Sequence, residues 1–224
     1  MIIYRNLILI GTSHISPESI ALVRKTIQEQ KPGFVAIELD KGRFHGLMGK
    51  KGKKRISFHE LRKLGLSSFL FALFGAWIEE KLGKMVGTKP GTEMKTAIIE
   101  AAKIQAKVLL IDQEISITLK RMFKTLTRRE KMRFVLDIFK GLLGMGEHIS
   151  FDLKKTPPEE LIEKLIGQVR QRYPSVYTTL IEERNTFMAK KLLLSMTKHP
   201  QETIIAVVGA GHEKGIYQFL TDAF

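Results

Sequence analysis

The chain contains no cysteine, which excludes disulfides, thiolate metal ligands and thiol catalysis and is compatible with a reducing compartment. Any bound metal has to rely on His, Asp or Glu. Long apolar runs are also missing. The longest, Phe69 to Trp77, falls well short of the roughly 20 residues a membrane span requires. Leu7-Ile8-Leu9-Ile10 is shorter than the core of a signal peptide, about 7–15 apolar residues, and reads instead as a first strand. The expectation is a chain that does not itself cross a bilayer and works in the cytoplasm or at the cytoplasmic face of a membrane. Acidic residues are scarce, with 23 Asp and Glu against 37 Lys and Arg and a formal charge of +14. Anionic partners therefore come into consideration. The basic residues cluster within Lys41 to Arg55, most densely at Lys50, Lys51, Lys53, Lys54 and Arg55, and such a run is ordinarily a solvated loop. The Lys50–Arg55 cluster carries no interleaved aromatic side chains, so nucleic-acid binding has only charge in its favour.

What is present is a globular composition: 224 residues, 44% hydrophobic and 27% charged, enough to bury a core. Four short β-branched runs read as buried strands: Leu7–Ile10, Phe34–Glu38, Lys107–Ile111 and Thr203–Val208. Helical patterns separate them. Ser16 is a natural N-cap before Pro17, with Ile20, Val23 and Ile27 recurring on one face, and Lys31-Pro32-Gly33 closes that helix. Thr92 is the expected N-cap of a further helix that carries Ile98, Ile99, Ala102 and Ile104.

Between these elements, 42–91 is rich in Gly, Lys and Phe and reads as an insertion. Residues 115–198 are almost wholly helical in pattern, broken at Gly141–Gly146, Pro157-Pro158 and Pro174. The expected fold is a single α/β domain over 1–224. Its central, mostly parallel sheet is flanked by helices, with a large helical insertion between the third and last core strands.

Two Gly-x-x-His corners stand at opposite ends of the chain: Gly11-Thr12-Ser13-His14 and Gly209-Ala210-Gly211-His212. Each follows directly on an apolar strand, and ligands of open α/β sheets bind beyond the carboxyl ends of strands. Glycine at the strand exit permits a tight turn or close backbone approach. Glu38 closes the second strand and Asp112 the third, so four strand ends offer two imidazoles and two carboxylates. Along the strand, Phe34, Ala36 and Glu38 share one face, and Val35, Ile37 and Leu39 the other. On the helix expected after Pro174, Leu180, Arg184 and Met188 recur at i, i+4 and i+8, which sets a guanidinium on an apolar stripe. Its natural partners are Glu183, Asp112 or the developing anion of a substrate.

Imidazole and carboxylate together suit Mn, Co or Zn better than the all-oxygen cations. His14, His212 and Glu38 are the candidate ligands. Glu93 or Asp112 is the candidate general base, and Arg184 the oxyanion stabiliser. The bland alternatives are helix-capping histidines, a turn aspartate and a structural ion pair. His45, His59, His148 and His199 read as surface residues.

Taken in order, several segments resemble the TraB family, related to pheromone-shutdown proteins and more distantly to Tiki metalloproteases. They are Gly11 to Ser16, Ile37 to Asp40 with Arg43, Pro90 to Met94, Leu110 to Asp112 leading into Ile117 to Arg121, Glu183 to Asn185 with Met188-Ala189, and Val207 to Ile216. The resemblance covers nearly the whole chain. It implies a fold similar to erythromycin esterase and ChaN-type haem-binding proteins, with a site at His14, His212, Glu38 and Arg184, and less directly Glu93. Gly11, Gly209, Asp112 and Arg43 are secondary candidates. The implied chemistry is metal-dependent cleavage of peptides, and the alternative is sequestration of a peptide or haem without turnover. Family members often carry membrane-spanning helices beyond the region that ends at Phe224, so membrane association of a longer parent protein is a further expectation. The apolar 69–77 segment is a candidate homo-oligomer contact.

Overall fold

The structure, a computed structural model, describes residues 1–12, 17–49, 91–142 and 159–223. His14, the Ser16 cap, the Lys50–Arg55 cluster, the 69–77 segment, Pro157-Pro158, His59 and His148 lie outside the described residues.

The N-terminal stretch forms a hairpin where one strand was expected. Strand β1 (Ile2–Tyr4) runs antiparallel to β2 (Leu7–Thr12), with Tyr4 opposite Leu7. The turn residue Arg5 adopts a left-handed conformation (φ 54°). Asn6 fixes the turn by donating from Nδ2 to the carbonyls of His199 and Glu202, both at 3.0 Å. Helix α1 (Pro17–Gln30) then leads to β3 (Phe34–Ile37).

The basic stretch that begins at Lys41 opens as a short helix, α2 (Lys41–Leu47), where a loop was expected. Asp40 caps it by accepting from the Arg43 backbone N–H at 3.0 Å, the usual means of satisfying an orphan first-turn donor. Helix α3 (Thr92–Lys103) starts one residue earlier than the sequence suggests. Gly91, at φ 84°, is its N-cap and Thr92 its first residue, because only glycine enters that left-handed conformation without strain.

Strand β4 (Lys107–Leu110) is followed by helices α4 (Ile115–Thr125), α5 (Arg128–Leu142), α6 (Glu159–Arg172) and α7 (Pro174–Tyr177). A π-helical turn, Thr178–Glu182, separates α7 from α8 (Glu183–Lys198). The helix expected after Pro174 is thus interrupted before Arg184. Strand β5 (Ile204–Gly209) and α9 (Ala210–Asp222) complete the order.

The sheet runs β1-β2-β5-β3-β4, with every pair parallel except β1 with β2. The last strand therefore inserts between β2 and β3. That insertion aligns Gly11 with Val208 and Thr12 with Gly209, so the exits of both Gly-x-x-His strands stand side by side.

Two apolar layers sandwich the sheet. On one face Leu7, Leu9, Phe34, Ala36, Ile204 and Ala206 pack against Met188, Leu192 and Met196 of α8 and Ile216 and Leu220 of α9. On the other, Ile8, Ile10, Val35, Ile37 and Val207 pack against Val23 and Ile27 of α1 and Met94, Ala97 and Ile98 of α3. The alternation expected along Phe34 to Leu39 is borne out, and it points Glu38 toward the α8 layer. His199, expected on the surface, is half-buried with its ring 4.4 Å from that of Phe34. No described helix is long and apolar enough to cross a membrane.

Candidate active site

Beyond the carboxyl ends of β3, β4 and β5 the chain assembles a buried network of charged side chains. Glu38, one residue past β3, accepts from the Gly209 backbone N–H through Oε2 at 2.6 Å. Its Oε1 accepts from Nη2 of Arg184. The guanidinium also donates to Asp112, from Nη2 to Oδ2 at 2.7 Å and from Nε to Oδ1 at 3.1 Å. Its Nη1 donates to the Leu180 carbonyl at 3.3 Å, within the π-helical turn.

Of the partners considered for Arg184, Asp112 is found, joined by Glu38. Glu183 instead accepts both donors of Arg121, at 2.6 and 2.7 Å. Arg43 extends the network. Its Nη2 donates to Asp112 Oδ2 and its Nε to Asp40 Oδ2 at 2.7 Å.

Asp112 has a fully buried side chain. Burial pushes its pKa up, but hydrogen bonds and charge from Arg184, and then from Arg43, outweigh that and hold it below the ordinary carboxylate value. Both of its carboxylate oxygens are engaged by these guanidiniums. Burial would lower the pKa of Arg184, yet Asp112 and Glu38 raise it overall. Three carboxylates, Glu38, Asp112 and Asp40, face two guanidiniums in this network. The Lys191 ammonium, which donates to the Leu110 carbonyl at 2.9 Å and interacts with Asp112, stands beside them.

His212 adjoins this network. The imidazole lies buried in the first turn of α9, with Nε2 at 3.5 Å from Glu38 Oε1. On its other side Nδ1–H donates to Asn185 Oδ1 at 2.6 Å. Asn185 presents its amide oxygen to the ring, and its Nδ2 lies against Gly215, where any Cβ would overlap it. With Nδ1 engaged by Asn185, Nε2 is the ring nitrogen that faces Glu38. This is the arrangement by which outer-shell partners orient metal-binding histidines.

Gly11 and Glu213 make a third contact at the rim. The Gly11 N–H donates to Glu213 Oε1 at 3.2 Å, and a Cβ at Gly11 would stand 2.6 Å from Glu213 Oε2.

The structure thus brings Glu38, Arg184, Asp112, Arg43, His212 and Gly209 together. Glu93 is also buried, on the other helical layer in the first turn of α3. Among the described residues no group of three or more His, Cys, Asp or Glu is disposed to hold a metal ion. The pair His212 and Glu38 is described; His14 is not.

Sequence reasoning gave no role to Asn185, Gly215, Glu213 or Asp40, although all four lie in the segments that carry the family resemblance. Asn185 directly follows the buried Arg184, and a polar residue beside a buried cation was the available signal.

The TraB/PrgY/gumN family profile matches residues 4–222 of the chain. The chain belongs to the TraB/PrgY/gumN family. An uncharacterized protein of Methanocaldococcus jannaschii is 37% identical to it over 95% of this chain and 52% of its own length. TraB domain-containing proteins of Mus musculus and Homo sapiens are each 27% identical over 92% of this chain and 60% of theirs. The chain thus spans little more than half the length of these relatives. Glu38, Arg184 and His212 fall within the residues that the family profile matches.

Proposed function

We propose that this TraB-family chain is a metal-dependent hydrolase acting on short peptides. The observation that carries the reading is the pairing of His212 Nε2 with Glu38 Oε1 at 3.5 Å, with the opposite ring nitrogen donating to Asn185. Two donors on one tetrahedral first-row metal, with bonds of about 2.0–2.2 Å, stand roughly 3.4 Å apart. The donor pair and its spacing therefore fit Mn, Co or Zn, and His14, on the corner that follows β2, is the third proposed ligand. A metal bound there supplies a water of lowered pKa and an electrophile for a peptide carbonyl.

The chain's own residues have separable tasks in this reading. Asn185 fixes the tautomer of His212. Gly209 N–H and Arg184 hold the Glu38 carboxylate in place, and Asp112 with Arg43 holds Arg184. Because the Nε and Nη2 donors of Arg184 are engaged with carboxylates, its task is to position Glu38 rather than to meet an oxyanion. Glu93 is the proposed general base.

The reading is tested by screening a peptide library with the purified chain, with and without a chelator. Cleavage that disappears on chelation, returns with metal, and is absent from His212→Ala is the expected result. Tight peptide binding with no cleavage in any of the three metals overturns the hydrolase in favour of sequestration.

A further inference from the structure

Helix α5 carries a surface that the site does not use. Met132, Val135 and Leu136 are 67%, 48% and 55% exposed. Their spacing of i, i+3 and i+4 puts them on one face of the helix. Scattered exposed apolar residues need no explanation, but three neighbours one turn apart form a patch.

The charges around this patch are sorted by sign. Arg128, Arg129, Lys131 and Arg133 are all exposed. The two acids of the same stretch are engaged on the inner side. Glu130 accepts from the Thr127 and Ser175 backbone N–H groups, at 2.9 and 2.8 Å. Asp137 accepts from Arg172 Nε at 2.6 Å and from the Tyr173 hydroxyl. The outward face of α5 is therefore apolar at Met132, Val135 and Leu136, with Arg128 and Lys131 one turn ahead of them, Arg129 and Arg133 beside them, and the acids withdrawn.

We propose that α5 is a peripheral docking helix for an anionic lipid surface, lying in the plane of the headgroups. Met132, Val135 and Leu136 enter the acyl boundary, and Arg128, Arg129 and Lys131 meet the headgroup phosphates. An apolar stripe edged by cations is what in-plane membrane binding requires, because neither insertion nor charge alone holds a protein there. A second copy is disfavoured as occupant, since symmetric docking would oppose two basic flanks. Nucleic acid is disfavoured because the centre of the face is aliphatic, whereas bases stack on aromatic rings. The proposal is independent of catalysis at His212.

The test is co-flotation of the full chain with vesicles of phosphatidylcholine alone or with added phosphatidylglycerol. Two variants accompany it, Met132→Ser/Val135→Ser/Leu136→Ser and Arg128→Gln/Arg129→Gln/Lys131→Gln. All six positions are solvent-exposed, and unchanged thermal melting confirms that each variant folds. Binding only to the anionic vesicles is expected. It should weaken about tenfold or more when the apolar side chains are removed and roughly a hundredfold when three cations are removed. Absence of binding to anionic vesicles overturns the proposal. So does binding that both variants retain but a Lys50→Gln/Lys51→Gln/Lys53→Gln variant loses, and so does concentration-dependent dimerisation abolished by the serine variant.

Discussion

Replacing Arg184 by methionine keeps most of the side-chain volume and removes the charge that two buried carboxylates share. The Arg184 side chain is 14% exposed and those of Glu38 and Asp112 are 5% and 0%, so water cannot take its place. Removing one partner of a buried ion pair generally costs about 3–5 kcal/mol, because the other charge is left uncompensated. Asp112 would keep Arg43, which puts Arg184→Met near the lower end, about 3 kcal/mol. For a domain of this size each kcal/mol shifts Tm by about 2–4 °C, so the expected loss is roughly 6–12 °C.

The internal control is Arg172→Met. That side chain pairs with Asp137 but is 49% exposed, and loss of such a pair costs at most about 1 kcal/mol. Urea denaturation of both variants at neutral pH, supported by calorimetry, measures the difference. Arg184→Lys should recover only part of the loss, because an ammonium cannot reproduce the planar fork that reaches Asp112 and Glu38 together. Equal and small losses for Arg184→Met and Arg172→Met would refute the buried network as described.

Acid should act through the same residues. Asp112 has a folded pKa below its unfolded value of 3.8. Its stabilisation is therefore complete above that value and is lost as pH falls through the lower folded one. Asp112→Asn should flatten the acid limb of a stability–pH profile, and an unchanged limb would contradict the shift. Gly215→Ala should displace Asn185 and cost about 1–3 kcal/mol through overpacking. Nitrogen NMR of His212 should then show the Nδ1–H tautomer losing its preference, whereas a melting loss with the tautomer unchanged would limit Gly215 to packing. The Tyr173 phenol, pushed up to about 12 by burial and by its bond to Asp137, should ionise at lower pH in Asp137→Asn, as followed by ultraviolet difference absorption.

Much of this architecture was legible in the chain because it rests on local periodicity. The buried runs beginning at Leu7, Phe34, Lys107 and Thr203 are strands, or begin within a residue of one, and the alternation in Phe34 to Leu39 correctly assigned the two faces of β3. The hairpin at Arg5-Asn6 escaped notice because its turn uses a left-handed arginine where glycine is the usual signal. The insertion of β5 between β2 and β3 was not readable either, since strand order depends on pairings between residues at opposite ends of the sequence.

The site divides in the same way. Glu38, Asp112 and His212 follow from their places at strand exits, and Arg184 from its apolar stripe. Asn185 and Gly215 owe their roles to the contact of α8 with α9, which no spacing along either helix announces. The sharing of Asp112 between Arg43 and Arg184 likewise appears only when α2, β4 and α8 meet. It ties both guanidiniums to one carboxylate, with Arg184 reaching on to Glu38.

Metal stoichiometry tests the central claim most directly. After loading with Zn, Mn or Co and exhaustive dialysis, atomic absorption on the purified chain should find one equivalent of metal retained, and His212→Ala should retain essentially none while still melting cooperatively. Full retention in a folded His212→Ala, or no retention by the parent chain with any of the three metals, would contradict a metal site built on His212 and Glu38.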